Sequence, residues 1–294
     1  MPNVTANGIQ IEYDTFGDSS FPALLLIMGG GSQMIYWEVE FCELLTKKGH
    51  FVIRFDNRDV GLSTKFEKAG IPDMMAAMKG KPVSSAYSLE DMADDAVGLL
   101  GALGLEKAHI CGASVGGMIA QVISYRHPER VLSLTSIMSS TGNPELPQIK
   151  PDILAEVYKP VPDECEAYIE HHVNMWRKLW SPGFPFDEKR LRTLMAESYD
   201  RSYYPQGMAR QSAAVLAHGY RKSSIASIKV PTLVIHGDKD PFMSVEGGKE
   251  IAQLIPGAKL LIIDGMGHDI PKEAWSEIID AISIHTMHAN VQFE

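Results

Sequence analysis

Six short, mostly apolar runs recur along this chain, with turn residues and helical patterns between them. They read ALLLIMG (residues 23–29), HFVIRFD (50–56), AHICGAS (108–114), LSLTSIM (132–138), PTLVIHGD (231–238) and AKLLIIDG (258–265). A strand apolar at consecutive positions must be covered on both faces, as in a parallel sheet between helices. Residues 9–16, IQIEYDTF, alternate instead, the pattern of a half-exposed strand. Between the runs lie helical segments. Residues 88–104 open with Ser88 and carry Asp91 three positions on, a capping box. VEGGKEIAQLIPG separates the last two runs. Strand and helix in alternation predict an α/β fold, a mostly parallel central sheet flanked by helices through right-handed crossovers.

Residues 141–221 break that rhythm. They hold clusters of Pro and aromatic residues, then ECEAYIEHHVNMWRKLW and DEKRLRTLMAESYD, both helical in pattern. The expected organisation is a core of residues 1–140 and 222–294, with 141–221 as a mostly helical cap insertion. The formal net charge of −10 argues against a nucleic-acid backbone as partner, because phosphate contacts need a basic face. The N-terminus shows no basic region followed by a long apolar run, and no apolar run is long enough to span a bilayer. Cys42, Cys111 and Cys165 are too few and oddly numbered for a disulfide framework, which suits a reducing compartment. The expectation is a soluble, cytoplasmic protein acting on a small molecule, with no membrane and no nucleic acid as partner. Monomer and homodimer both remain open. The C-terminal HTMHANVQFE reads as a frayed helix end and tail.

The stretch GASVG (112–116) sits where a strand should end and a helix begin. It fits Gly-x-Ser-x-Gly, in which a serine on a tight strand-to-helix turn is lifted above the sheet. Bulky neighbours two positions away would clash in such a turn, and small ones remove the clash. Ser114 then lies at a helix N-terminus, where free N–H groups favour developing negative charge. Serine is a weak nucleophile without a base. GMGH places His268 on the loop after the run 258–263, and HGDKDP places Asp238 and Asp240 after the run 231–237. In open α/β sheets, sites form at these strand ends. Asp240 lies further out and is the expected partner of His268, leaving Asp238 a structural role. The order Ser, Asp, His along the chain follows. MGGGS (28–32) ends an early run, so the amides of Gly30 and Val115 are the expected oxyanion donors. Arg58, in DNRDVGLS, is expected to reach a carboxylate on a neighbouring loop and brace the top of the sheet. His171, His172, His285 and His288 stand in no metal-ligand pattern.

With MGGG, DNRDVGLS, GASVGG, HGDKDP and GMGH in this order, the chain resembles the α/β-hydrolase superfamily from about residue 5 to residue 285, outside the insertion. Within it, the MGG loop, RFDNRDVGLST and PTLVIHGDKDP…GMGH are similar to the group of the aclacinomycin methylesterase, which hydrolyses a methyl ester on an anthracycline. The resemblance implies a serine carboxylic-ester hydrolase without cofactor or metal, its triad mapping onto Ser114, Asp240 and His268 and its oxyanion hole onto Gly30 and Val115. Met28-Gly29 departs from the His-Gly pair of many superfamily members. Lactone or carbon–carbon bond cleavage by the same triad, and a ligand receptor on a hydrolase scaffold, are the alternatives. Met28, Trp176, Trp180 and Tyr203 are expected to line an apolar substrate pocket, and the Met-rich loop 71–85 to border its entrance.

Overall fold

The computed structural model describes residues 2–77 and 80–291. Eight strands form one sheet in the order β1-β2-β4-β3-β5-β6-β7-β8. They are β1 (Asn3–Ala6), β2 (Ile9–Phe16), β3 (Ala23–Ile27), β4 (Phe51–Phe55), β5 (Ala108–Ala113), β6 (Val131–Ile137), β7 (Thr232–Gly237) and β8 (Lys259–Ile263). β1 and β2 pair antiparallel with each other, as do β2 and β4, and the rest of the sheet is parallel. The helices are α1 (Val39–Thr46), α2 (Met74–Ala77), α3 (Leu89–Ala102), α4 (Val115–Arg126), α5 (Pro151–Val157), α6 (Cys165–Leu179), α7 (Glu188–Arg201), α8 (Gln206–His218), α9 (Lys222–Ala226), α10 (Val245–Leu254) and α11 (Trp275–Val291). No described helix is long and apolar enough to cross a membrane.

The apolar runs become strands because both their faces are covered. Leu25 and Ile27 of β3 join Ile110, Leu134 and Val234 in a core closed by α3, α4 and α10. Leu24 and Leu26 point the other way, with Cys111, Ile137 and Ile235, against α1 and α11. β8 is the exception. Its first residues Lys259 and Leu260 are exposed, because it closes the sheet and has only one neighbouring strand. Its apolar run resembles those of the inner strands, but its position is that of an edge. The strand β1 is too short to carry a periodic signal and was not anticipated. Ser88 caps α3 through the expected box with Asp91. At the C-terminus α11 continues as helix to Val291, further than a frayed end, and residues 292–294 of the expected tail lie outside the described residues.

A buried histidine group joins the sheet to α11. His109 bonds Ser133 Oγ at 2.8 Å, His50 bonds Thr286 Oγ1 at 2.8 Å, and His285 meets the Leu134 carbonyl at 3.1 Å. Burial pushes His109 down to about 3, helped by the neighbouring His50 and His285, and pushes His285 down to about 4. These rings fold neutral, whereas the unfolded chain protonates them near pH 6.5. The stability they permit is therefore complete above pH ~6.5 and falls as pH drops from there toward their folded values. At pH 5 His109 alone is expected to cost on the order of 2 kcal/mol. Urea unfolding of the wild type and His109→Gln at pH 7.5 and pH 5 checks this: the variant should lose less stability on acidification. Equal losses would reject it.

Candidate active site

Ser114 follows β5 directly and caps α4 with φ 55° and ψ −120°. A non-glycine residue held there costs on the order of 1–3 kcal/mol, and persists only where its surroundings enforce it. The enforcing contacts explain the small residues on either side. A Cβ on Gly112 would overlap the Gly116 carbonyl oxygen, and one on Gly116 would overlap the Ile27 carbonyl oxygen. On Gly117 it would lie 2.6 Å from Ser139 Cβ. None of these three glycines has a positive φ. The serine itself takes the strained turn, and the glycines let α4 press against the ends of β3, β5 and β6.

Parallel register carries the other loops to the same edge. His268 Nε2 lies 3.1 Å from Ser114 Oγ, and His268 Nδ1 lies 2.8 Å from Asp240 Oδ2. All three side chains are buried. Asp240 Oδ1 accepts from the amides of Phe242 and Met243, both at 2.8 Å, and His236 Nε2 stands 3.5 Å from Oδ2. Burial raises the Asp240 carboxyl, but the charges and hydrogen bonds of His268 and His236 outweigh it and hold the group down at about 2. It is ionised at any pH where a neutral imidazole exists. Asp238 is occupied elsewhere: it accepts from the Gly265 amide at 2.7 Å and pairs with Lys239 at 2.6 Å. It thereby shapes the loop that bears His268.

Gly29 and Gly30 face the serine turn. A Cβ on Gly29 would sit 3.2 Å from Ser114 Cβ, and one on Gly30 would sit 3.2 Å from Val115 Cγ2. Val115 is the first residue of α4, so its N–H has no acceptor within the helix. Gln211 on α8 fixes this loop, accepting from the Gly31 amide at 2.8 Å while donating to the Arg58 carbonyl at 2.8 Å. A serine, a base oriented by a carboxylate, and a glycine loop beside a helix N-terminus together suit nucleophilic acyl transfer.

A profile of the alpha/beta hydrolase fold matches residues 22–274. The chain belongs to the α/β-hydrolase family. It is 29% identical to the rhodomycin D methylesterase of Streptomyces sp. strain C5, over 98% of each chain. It is 24% identical to 3-oxoadipate enol-lactonase 2 of Acinetobacter baylyi, covering 89% of this chain and 87% of that one. Its fold matches the meta-cleavage product hydrolase of Pseudomonas fluorescens with a TM-score of 0.76 at 20% identity, over 98% of both chains.

In this hydrolase a cavity partly open to solvent reaches His268. Met28, Met138, Trp176, Trp180, Leu194 and Ile270 form much of its wall. Trp176 and Trp180 lie four positions apart at the end of α6, and so share a face. Tyr203 does not line this cavity, contrary to expectation. Its hydroxyl donates to the Val161 carbonyl at 3.1 Å, and its ring packs with Tyr168 and Tyr199 between the helices. Nor does any described residue of 71–85 line it, and Met78 and Lys79 of that loop lie outside the described residues. Arg58 does brace the structure, but through Asp95 on α3 at 2.6 Å rather than a loop carboxylate. Sequence reasoning missed Gln211, Ser181 and Asp269. Only Asp269 carried a signal, by following His268 directly. Ser181 Oγ donates to Asp269 Oδ1 at 2.6 Å and accepts from the Gly267 amide at 2.7 Å, and the His268 amide donates to the Leu179 carbonyl at 2.8 Å. The helical segment between β6 and β7 thus touches the histidine loop directly.

Proposed function

We propose that this α/β hydrolase cleaves carboxylic esters of small hydrophobic molecules through an acyl-enzyme on Ser114. The observation that carries the reading is the hydrogen-bonded series Ser114–His268–Asp240 beside the loop of Gly29 and Gly30. His268 takes the serine proton as Oγ attacks the ester carbonyl, and returns it to the departing alcohol. Water, deprotonated by the same imidazole, then releases the acid. Asp240 holds the tautomer and stabilises the imidazolium. The amides of Gly30 and Val115 receive the oxyanion.

Residues 141–221 act as a cap over the site in this reading, with residues 1–140 and 222–294 as the core. Met28, Trp176 and Trp180 contact the substrate. The rhodomycin D methylesterases, similar over nearly the whole chain, favour a methyl ester as the substrate type. The mainly apolar wall of the cavity suits a hydrophobic group on such a substrate. The enol-lactonase and 2-hydroxymuconate semialdehyde hydrolase relatives support ring-opening or carbon–carbon cleavage as the second reading.

One panel separates the two readings: p-nitrophenyl esters from acetate to dodecanoate, methyl esters of polycyclic aromatic acids, an enol-lactone and a meta-cleavage product. Ester hydrolysis is expected to have the highest kcat/KM. Turnover of only the lactone or the dienoic ketone would reject the ester reading while leaving the triad in place.

A further inference from the structure

Arg190 is the one arginine or lysine among the described residues of the cavity wall. It stands four positions before Leu194 on α7, and both line the cavity, so the helix face that carries Arg190 is the one turned toward it. Its charge also acts on Asp269, the residue after His268. The guanidinium is only partly used. Nε, at 2.7 Å, and Nη2 both donate to Glu38 Oε1 at the start of α1. The Trp275 ring lies against the guanidinium face, its centroid 5.0 Å from Cζ. A guanidinium carries five N–H groups, and the Glu38 bonds take two. Nη1 makes no hydrogen bond to any described residue, and it is not sealed from solvent. The side chain as a whole is 23% exposed. Glu38 on its edge and Trp275 on its face thus hold the group still, while the outer fork of Nη1 and Nη2 stays accessible.

We propose that Arg190 is a substrate-binding residue whose outer fork donates to a neutral carbonyl oxygen, a ketone or an amide, on the acyl part of the ester. This rests on the ester-hydrolase reading. Such an oxygen accepts from Nη1 and the second N–H of Nη2 without displacing Glu38. The bond forms beside the apolar wall of Trp176, Trp180 and Leu194, where competing water is scarce.

The surroundings choose a neutral group over an anion. Glu38 already balances the Arg190 charge, and Asp187 and Asp269 lie on the same wall. A substrate carboxylate would gain from Arg190 but meet these like charges. A carbonyl meets no such repulsion. Glu38 is therefore the residue that sets the preference. Its side chain makes no capping bond to α1, so Glu38→Gln removes the charge without uncapping the helix.

The test uses methyl nonanoates with a ketone at the fifth, sixth, seventh or eighth carbon. Each is compared with the isostere in which a methylidene group replaces the ketone oxygen, in wild type and Arg190→Met. The series scans the reach from the ester to Arg190. At one position or more, the ketone-to-alkene ratio of kcat/KM is expected to be about tenfold or more higher in the wild type than in Arg190→Met, as for a hydrogen bond from a charged donor. An ion pair that only ties α1 to α7 would change both members alike, so equal ratios at every position overturn the proposal. Desolvation of the ketone is common to all positions. A wild-type ratio that is flat along the chain therefore also overturns it, whether or not the variant folds. In Glu38→Gln, the rate with monomethyl nonanedioate relative to methyl nonanoate should rise about tenfold at pH 8, with the ketone preference kept. An unchanged anion ratio, or a lost ketone preference, rejects the fork as the site. If the wild type hydrolyses none of these esters, the ester reading fails separately. Tryptophan fluorescence titrations with 2-octanone and its isostere 2-methyl-1-octene then decide the binding site. Ketone affinity that falls in Arg190→Met relative to the alkene supports it, and parallel changes reject it.

Discussion

Ser114→Ala is expected to lower kcat for ester hydrolysis by on the order of a million-fold, with little loss of folded protein. The hydroxyl is the only part removed, and the Cβ that packs the turn remains. What survives is catalysis by oxyanion donors and binding, typically about a thousandfold over water. The size of the loss follows from cooperation: His268, 3.1 Å from Oγ, has nothing to deprotonate in the first step once the hydroxyl is gone. Ser114→Gly makes a useful companion. It is equally inactive, but glycine adopts φ 55° without steric cost, so this variant should melt at or above the temperature of Ser114→Ala. Steady-state kinetics and thermal melts of both variants check the pair. Ser114→Ala retaining more than about one per cent of wild-type kcat would remove Ser114 as nucleophile.

Asp240→Asn carries the second large effect, a fall in kcat of about ten-thousandfold. The carboxylate accepts from His268 Nδ1 at 2.8 Å, which leaves Nε2 free to receive the serine proton. An amide in that place can donate to Nδ1 instead, and the imidazole is then held in the wrong tautomer. The buried carboxyl, held at about 2, also balances the imidazolium that forms during attack. Asp238→Asn is the control. That group binds the Gly265 amide and Lys239, both remote from proton transfer. Its loss should cost less than about tenfold, in keeping with one loop hydrogen bond. Similar losses in both variants would mean that the choice of Asp240 is wrong.

The two aspartates show how far a sequence carries such a site. Both stand in HGDKDP after a strand, and either could reach a histidine on the next loop. Distance from the strand end favoured Asp240, whose Oδ2 lies 2.8 Å from His268 Nδ1. The glycines around Ser114 were legible for a similar reason, since close packing leaves room for no side chain and so marks the sequence. Tyr203 shows the limit. It and Trp176 look alike as aromatic residues of one helical segment, yet Trp176 faces the cavity and Tyr203 packs among Tyr168 and Tyr199. Which way a ring points depends on the helix packed against it, and no local pattern encodes that. Gln211 was invisible because one glutamine in a helix has no periodic signature of its own, although it holds the glycine loop.

By itself the sequence determined the succession of strands along the chain after β1, the α/β class, and which serine, acid and histidine stand at strand ends. These follow from local rules: apolar periodicity, caps and turns act over a few residues and leave their mark there. Tertiary structure alone decided the rest. It set the order of strands in the sheet, made β8 an edge, sent Arg58 to Asp95, stitched Ser181 to the histidine loop and left Asp269 Oδ2 without a partner. Each of these joins residues far apart in the chain, and depends on which surfaces meet once the apolar faces are buried.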